Sequence, residues 1–355
     1  MSTLAELTTL GVGGPAGRLV RATTEAELLS AVQEADAARE PLLLVGGGSN
    51  LLVGDAGFPG TVVQVATRGA ALVDCGCGYP TLDVAAGEPW ESVVDRALEE
   101  GLAGIECLTG IPGTTGATPV QNVGAYGQEV AAVVERVRTW DRLTGQRRTL
   151  AVGDCGFGYR TSRFKQERLP EDWPGAEQGP AARQRWVVLG VELALRPAEL
   201  SDPVRYAELA RALGVPEGGR APLARVRETV LALRARKGMV LDPADPDTRS
   251  AGSFFTNPVV PAAAAERVPA DAPRWPAPEG RVKLSAAWLI QHAGFPPGYG
   301  DGPAALSGKH ALALTNRGGA RAEDLVALAR TLRDRVADRF GVVLEPEPAL
   351  VGVAL

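Results

Sequence analysis

The stretch GIECLTGIPGTTGATPVQNVGAYGQ, residues 104–128, decides how the rest of the chain is read. Its six glycines and two prolines would by themselves suggest a linker. Apolar Ile105, Leu108, Ile111 and Val120 are threaded through it with Asn122 and Tyr126, and a linker has no use for them. Glycine tolerates positive φ and close backbone approach, so such a loop can turn a row of N–H groups toward an anion. The pyrophosphate of a flavin dinucleotide is the anion it suits. A set of tight turns in a β-rich domain accounts for the same composition, and the loop alone does not separate the two.

A chain of 355 residues, 45% of them hydrophobic, has room for two or three domains with a sizeable core. The net charge is −5 and no basic stripe stands out, so a nucleic-acid partner is not expected. No apolar run reaches the roughly 18 residues that a membrane helix needs. The N-terminus lacks a basic-then-apolar signal pattern, which points to the cytoplasm. The cysteines are Cys75, Cys77, Cys107 and Cys155, and the only histidines are His292 and His310. C-x-C is not a zinc-knuckle spacing, so reduced, buried thiols are expected and no metal.

Upstream of the glycine stretch, residues 24–39 read as a helix, with a capping box at Thr24 and Glu27 and an apolar face of Leu28, Leu29, Val32 and Ala35. PLLLVGGGSNLLV, residues 41–53, reads as a buried strand entering a glycine turn, a second candidate phosphate cradle. It has neither the P-loop nor the Rossmann pattern. Residues 61–65 form a further strand, and 71–86 two strand-like runs about the segment 76–80. Pro89 opens a helix to residue 100, with Trp90, Val93, Val94, Ala97 and Leu98 apolar and Gly101 as its stop.

Downstream, residues 133–140 and 146–152 read as a hairpin about Thr144-Gly145. DCGFGYRTSRFK, residues 154–165, sets aromatics beside Arg160, Arg163 and Lys165, which suits a carboxylate or phosphate; a solvated turn with an aromatic anchor is the plainer account. Residues 166–185 read as a loop and 186–195 as a strong strand. Composition shifts near Pro197. Residues 222–237 form a helix whose basic last turn either complements the helix end or, at Lys237, takes a phosphate. SAGSFFTNPVV, residues 250–260, places a serine beside two phenylalanines, although most Gly-Ser turns are only turns. Residues 261–280 are an Ala/Pro-rich surface excursion, 284–293 a short helix, and 321–340 the longest helix, stopped by Gly341. The tail VVLEPEPALVGV, residues 342–353, is strand-like. Glu345 and Glu347 lie two apart and so share a face, as a functional pair or as two edge carboxylates.

LLVGGGSNLLV, GIPGTTGATPVQNVGAYG, FGYRTSRFK, AGSFFTNP and LEPEPALVG occur in that order. The combination, from about residue 9 to 352, resembles the UDP-N-acetylenolpyruvoylglucosamine reductases, the MurB family of peptidoglycan synthesis. The Tyr206 region and the long span before AGSFF resemble its first type, in which a tyrosine loop closes over the substrate. The resemblance implies an α+β fold: a two-subdomain FAD-binding domain of the vanillyl-alcohol-oxidase (PCMH) type, residues 1–69 and 70–200, plus a separate α+β substrate-binding domain, 201–340. A tail, 341–355, would return to the first subdomain.

It also implies an activity. NADPH reduces non-covalently held FAD, and the flavin then reduces UDP-N-acetylglucosamine enolpyruvate to UDP-N-acetylmuramate. Such chemistry needs a cation on the substrate carboxylate and an acid to protonate C2. Through the matching motifs Arg160 carries over as the cation, Ser253 as the proton donor and Glu347 as the carboxylate beside the enol, with Glu345 as the alternative. Gly46, Gly47, Gly48, Ser49 and Asn50, together with Gly113, Thr114, Gly116, Thr118, Asn122 and Gly124, would hold FAD. Tyr206, Lys237 and Asn257 match positions near the UDP-sugar. A monomer is expected. The chain departs from the family pattern at His292, where glutamine is commoner, at Pro348-Ala349, where Val-Arg is commoner, and at Thr8. An FAD oxidase of the same superfamily and a non-catalytic flavin- or nucleotide-sugar-binding module are the rival readings. The first histidine, His292, lies outside the expected FAD domain, so a histidyl-flavin link from that domain is excluded.

Overall fold

The computed structural model describes residues 3–73 and 80–355, so the expectations for Cys75, Cys77 and the turn from Gly76 lie outside the described residues. The chain forms two compact units. One comprises residues 16–47 and 59–240; the other comprises residues 1–15, 48–58 and 241–355.

The first unit holds a three-stranded and a five-stranded sheet, besides two short two-stranded pairs. In the smaller, the strands run in the order Ala16–Ala22, Phe58–Val65, Leu42–Val45. Leu42–Val45 lies parallel to its neighbour, with Leu42 opposite Thr61 and Val45 opposite Gln64. The Glu25–Ala37 helix covers this sheet, and Leu28, Val32 and Ala35 enter one core with Leu42 and Val63. Its start is the expected capping box, Thr24 accepting from Glu27 N while Glu27 reaches back to Thr24 N.

The larger sheet has the order Gln146–Ala151, Val134–Asp141, Trp186–Ala194, Thr81–Ala85, Ala70–Val73. All its pairings are antiparallel. The expected hairpin is its first pair, with Asp141 opposite Gln146. The amphipathic Trp90–Glu99 helix buries Trp90, Val93, Val94 and Ala97 among Leu82, Val84, Val191 and Leu193. Burying such aliphatic side chains contributes about 1.5–3 kcal/mol each. Trp90 satisfies its indole N–H on Leu108 O at 2.9 Å, which fixes the glycine stretch to this helix. A third cluster joins the Ala207–Leu213 and Leu223–Arg236 helices through Leu209, Leu213, Val226, Val230 and Leu233.

In the second unit the strand Leu51–Val53 lies parallel to Ala349–Val351, Leu51 opposite Ala349. The Ala322–Phe340 helix sends Leu325, Leu332, Val336 and Phe340 into a core with Leu52, Phe254, Phe255, Leu289 and Ile290. Asp55 caps it from a distant loop, accepting from Ala322 N at 2.9 Å and Glu323 N at 3.1 Å. Orphan amides of a helix start are thereby satisfied.

Three local expectations change. The 261–280 excursion contains a short helix, Ala262–Ala265, and the strand Arg274–Pro276, which pairs with Val282–Leu284. The helix expected from residue 284 starts at Ala286, because Leu284 ends that strand and Ser285 is the N-cap. Of the tail, only Ala349–Val351 is a strand, since Pro346 and Pro348 cannot donate to a ladder. Among the described residues no helix is long and apolar enough to cross a membrane.

Candidate active site

In the first unit the two glycine loops meet without room for side chains. A Cβ on Gly47 would lie 2.6 Å from Gly113 Cα, and one on Gly46 would overlap Thr114 Oγ1. Gly116 is closed in by Ala86, whose Cβ would lie 2.6 Å from an added methyl. Gly113 has φ +125°, open only to glycine in practice. The loop is anchored behind: Thr115 N donates to Glu88 O, Gly116 N to Ala86 O, and Trp90 N to Gly113 O. Thr118 turns its hydroxyl inward onto Thr115 O at 2.8 Å. Among the described residues, the amides of Gly47, Gly113 and Thr114 donate to no backbone carbonyl. A side-chain-free hollow with amides left over is a fit for a diphosphate, and so for FAD.

The segment after it is clamped by the FGYRTSRFK motif. Asn122 is buried at φ +46°; its Nδ2 donates to Glu129 and to Gly158 O, and its Oδ1 accepts from Ala131 N. The Asn122 side chain therefore holds the loop together. Ser162 Oγ donates to Val120 O at 2.6 Å, and Lys165 Nζ to Arg160 O at 3.0 Å. Arg160 stands at a two-residue turn between Gly158 and Thr161, with φ +53°. Its guanidinium donates to Gly124 O at 2.8 Å and Asn122 O at 3.4 Å.

Among the described residues, the non-glycines at positive φ are Arg39, Asn122, Tyr126, Arg160 and Glu279, and three of these five lie in this clamp. Such strain costs of order 1–3 kcal/mol per residue and gathers where function over-determines the backbone. Sequence reading noted Tyr126 without giving it a role. The structure sets its ring edge-on to Tyr206, centroids 5.3 Å apart, and places Lys237 Nζ 5.7 Å from its centroid. Burial pushes its phenol up to about 12, with Glu208 and Tyr206 adding to the rise and Arg234 and Arg236 opposing it. Tyr206 and Lys237, expected near the substrate, thus share one cluster with Tyr126. Lys237 is also ion-paired to Glu208 at 2.5 Å.

The second unit gathers three motifs that are far apart in sequence. Phe255 and Pro346 form an antiparallel bridge, with Glu347 N donating to Phe254 O at 2.8 Å and Thr256 N to Glu345 O at 3.1 Å. Asn50 staples the same tail: its Nδ2 donates to Glu347 O at 3.3 Å and its carbonyl accepts from Ala349 N. Gly48, at φ +60°, lies so close to Leu7 O that a Cβ would overlap it, and Ser49 is half-buried beside it in sequence. Ser253 is half-buried, and among the described residues its hydroxyl has no hydrogen-bond partner. Glu347 is half-buried while Glu345 is exposed. Asn257 Oδ1 accepts from Ala286 N at 2.9 Å, supporting the Ala286–His292 helix. His292 is exposed and stacks on Trp288 at 3.7 Å. Cys107 and Cys155 are free and buried; burial pushes both thiols up, Cys155 to about 11. Neither is a nucleophile at neutral pH.

The "FAD binding domain" family matches residues 16–151, the span that carries both glycine loops of the first unit. The chain is therefore an FAD-binding flavoprotein, with the mixed α/β content expected of a PCMH-type domain beside a separate domain. Residues 243–351 match "UDP-N-acetylenolpyruvoylglucosamine reductase, C-terminal domain". The chain belongs to the UDP-N-acetylenolpyruvoylglucosamine reductase (MurB) family. It is 56% identical to the protein of that name from Streptomyces coelicolor, over 99% of this chain and 90% of the relative. Identity to the Mycobacterium tuberculosis protein is 49%, over 99% and 95%. The crystal structure of MurB from Thermus caldophilus is 28% identical and matches with a TM-score of 0.63, covering 98% of this chain and 96% of that one.

Proposed function

We propose that this chain is the FAD-dependent UDP-N-acetylmuramate dehydrogenase that reduces UDP-N-acetylglucosamine enolpyruvate to UDP-N-acetylmuramate with NADPH, in peptidoglycan precursor synthesis. It works in the cytoplasm as a monomer, without a nucleic-acid partner or membrane insertion. FAD, when bound, supplies the hydride that it has taken from NADPH. The backbone amides of Gly46, Gly47, Gly48, Gly113 and Thr114 hold the diphosphate of FAD. Gly116, Thr118, Asn122 and Gly124 shape the cradle, and Ser49 and Asn50 belong to the same set of FAD-binding residues. The division into 1–69, 70–200, 201–340 and a returning tail, 341–355, belongs to the same reading.

The remaining steps fall to side chains. Arg160 holds the substrate carboxylate, which gains negative charge as hydride arrives at C3; the guanidinium fork meets a carboxylate with two bonds. Ser253 delivers the proton to C2, and Glu347 is the acidic side chain beside the enol. Tyr206, Lys237 and Asn257 hold the UDP-sugar, Lys237 as a point charge on its diphosphate. The observation that supports this reading is the bridge from Phe255 to Pro346, which brings the segment of Ser253, half-buried and with no hydroxyl partner among the described residues, beside that of Glu347.

The test is anaerobic NADPH oxidation by FAD-loaded protein with and without UDP-N-acetylglucosamine enolpyruvate. One NADPH per flavin is expected without the sugar, and sustained turnover with it. Flavin reduction with no turnover on the sugar would overturn the substrate assignment.

A further inference from the structure

Lys237 is not held ready for an anion. Its Nζ is 2.5 Å from Glu208 Oε2, with the two side chains about one-third exposed. Glu208 lies in the first turn of the Ala207–Leu213 helix, and Tyr206 is that helix's N-cap. Lys237 is the C-cap of the Leu223–Arg236 helix. Tyr126 touches both partners' neighbours, edge-on to Tyr206 and under the Lys237 ammonium. The result is a closed ring: Tyr206 and Glu208 from one helix start grip Tyr126 and Lys237.

We infer that Glu208 is a positioning residue that stands in for the substrate diphosphate on Lys237 and is displaced when the UDP-sugar binds. This rests on the reading of Lys237 as a diphosphate ligand. A carboxylate oxygen and a phosphate oxygen are both anionic acceptors, and an ammonium takes either without an angular requirement. A diphosphate carries more charge than one carboxylate, so it wins the ammonium, at the cost of breaking the pair. Breaking the pair frees the Ala207–Leu213 helix start, and with it Tyr206, from its tie to Lys237. Glu208 thereby makes the position of Tyr206 depend on a ligand with enough negative charge to replace it. A monoanionic sugar would not do so.

Exposed ion pairs of this kind contribute modestly, so removing the competitor should lower KM for UDP-N-acetylglucosamine enolpyruvate by about two- to fivefold. The experiment compares Glu208→Gln, Lys237→Met and the double variant as FAD-loaded enzymes. Flavin content and thermal melting serve as the check on folding, and KM and kcat are measured separately for the sugar. Glu208→Gln is expected to lower KM, Lys237→Met to raise it, and Glu208→Gln to have no effect on KM in the Lys237→Met background. A raised or unchanged KM in Glu208→Gln, with Lys237→Met raising it, overturns the displacement. An unchanged KM in Lys237→Met overturns instead the assignment of Lys237 to the diphosphate. A further fall in KM in the double variant would mean that Glu208 acts on something other than Lys237.

Discussion

Replacing Ser253 by alanine separates its two possible uses, as part of the fold or as part of the chemistry. The hydroxyl is half-buried and bonds to no described residue, so its removal leaves no donor or acceptor stranded. The segment around it is kept by backbone bonds, Phe254 N to Leu312 O and Glu347 N to Phe254 O, which alanine retains. The stability change should therefore stay within about 0.5 kcal/mol, or under about 2 °C in Tm. Loss of a general acid costs about 10²–10⁴ in rate, equal to roughly 2.7–5.5 kcal/mol of barrier. Anaerobic stopped-flow absorbance reads the two halves apart: flavin reduction by NADPH, then flavin reoxidation by the enolpyruvyl sugar. The first should keep its wild-type rate, and the second should fall by at least about a hundredfold. Equal losses in both halves would refute the assignment, because a proton donor to C2 has no part in the first. A fall of many degrees in Tm would show the hydroxyl to be structural.

Arg160→Lys should slow the sugar half-reaction by about a hundredfold, because lysine lacks the bidentate fork and cannot also reach Gly124 O and Asn122 O; a wild-type rate would remove Arg160 from the carboxylate. Glu347→Gln should cripple the same half-reaction while Glu345→Gln, at an exposed site, should not, and the reverse pattern would reassign the role. Gly47→Ala should yield protein that purifies with little flavin, since the new methyl meets Gly113 Cα at 2.6 Å and backbone must move; a full flavin complement would argue against the cradle. Tyr126 sets an alkaline limit. Burial raises its folded value to about 12 from the usual 10 or so, so its contribution to stability is whole below about pH 10 and is lost as pH rises toward 12. Tyr126→Phe should flatten the loss of stability over that window in denaturant titrations.

The elements legible in the sequence are those whose signal is local. The capping box at Thr24, the stops at Gly101 and Gly341, and the hairpin at Gly145 each depend on a few neighbouring residues, and the structure bears them out. What periodicity cannot carry is pairing between distant segments. Leu51–Val53 finds its parallel partner almost at the C-terminus, and neither strand says so. Asp55 caps a helix that begins with Ala322, far away in sequence. The positive φ of Asn122, Tyr126 and Arg160 was equally hidden, because non-glycine residues do not announce it. Glycine-rich composition marked the region, and tertiary bonds decided which side chains would bear the strain.

The tail shows how a sequence can contain more than periodicity extracts from it. The tail reads as strand-like from residue 342, but EPEP is no ladder member, and the strand is confined to Ala349–Val351. Strand amides point to alternate sides, so prolines at 346 and 348 remove donors on one side only. The amide of Glu347 is left facing the other side, and it is the one that bonds to Phe254 O. The carbonyl of Glu345 accepts there too, from Thr256 N. The same alternation that disqualifies the segment from a continuous sheet thus selects the edge by which it docks, and it docks on the segment that carries Ser253. Register is set at the same time. A slip of one residue would place a proline where an amide must donate, so the position of Glu347 beside the AGSFF segment is specified by backbone chemistry.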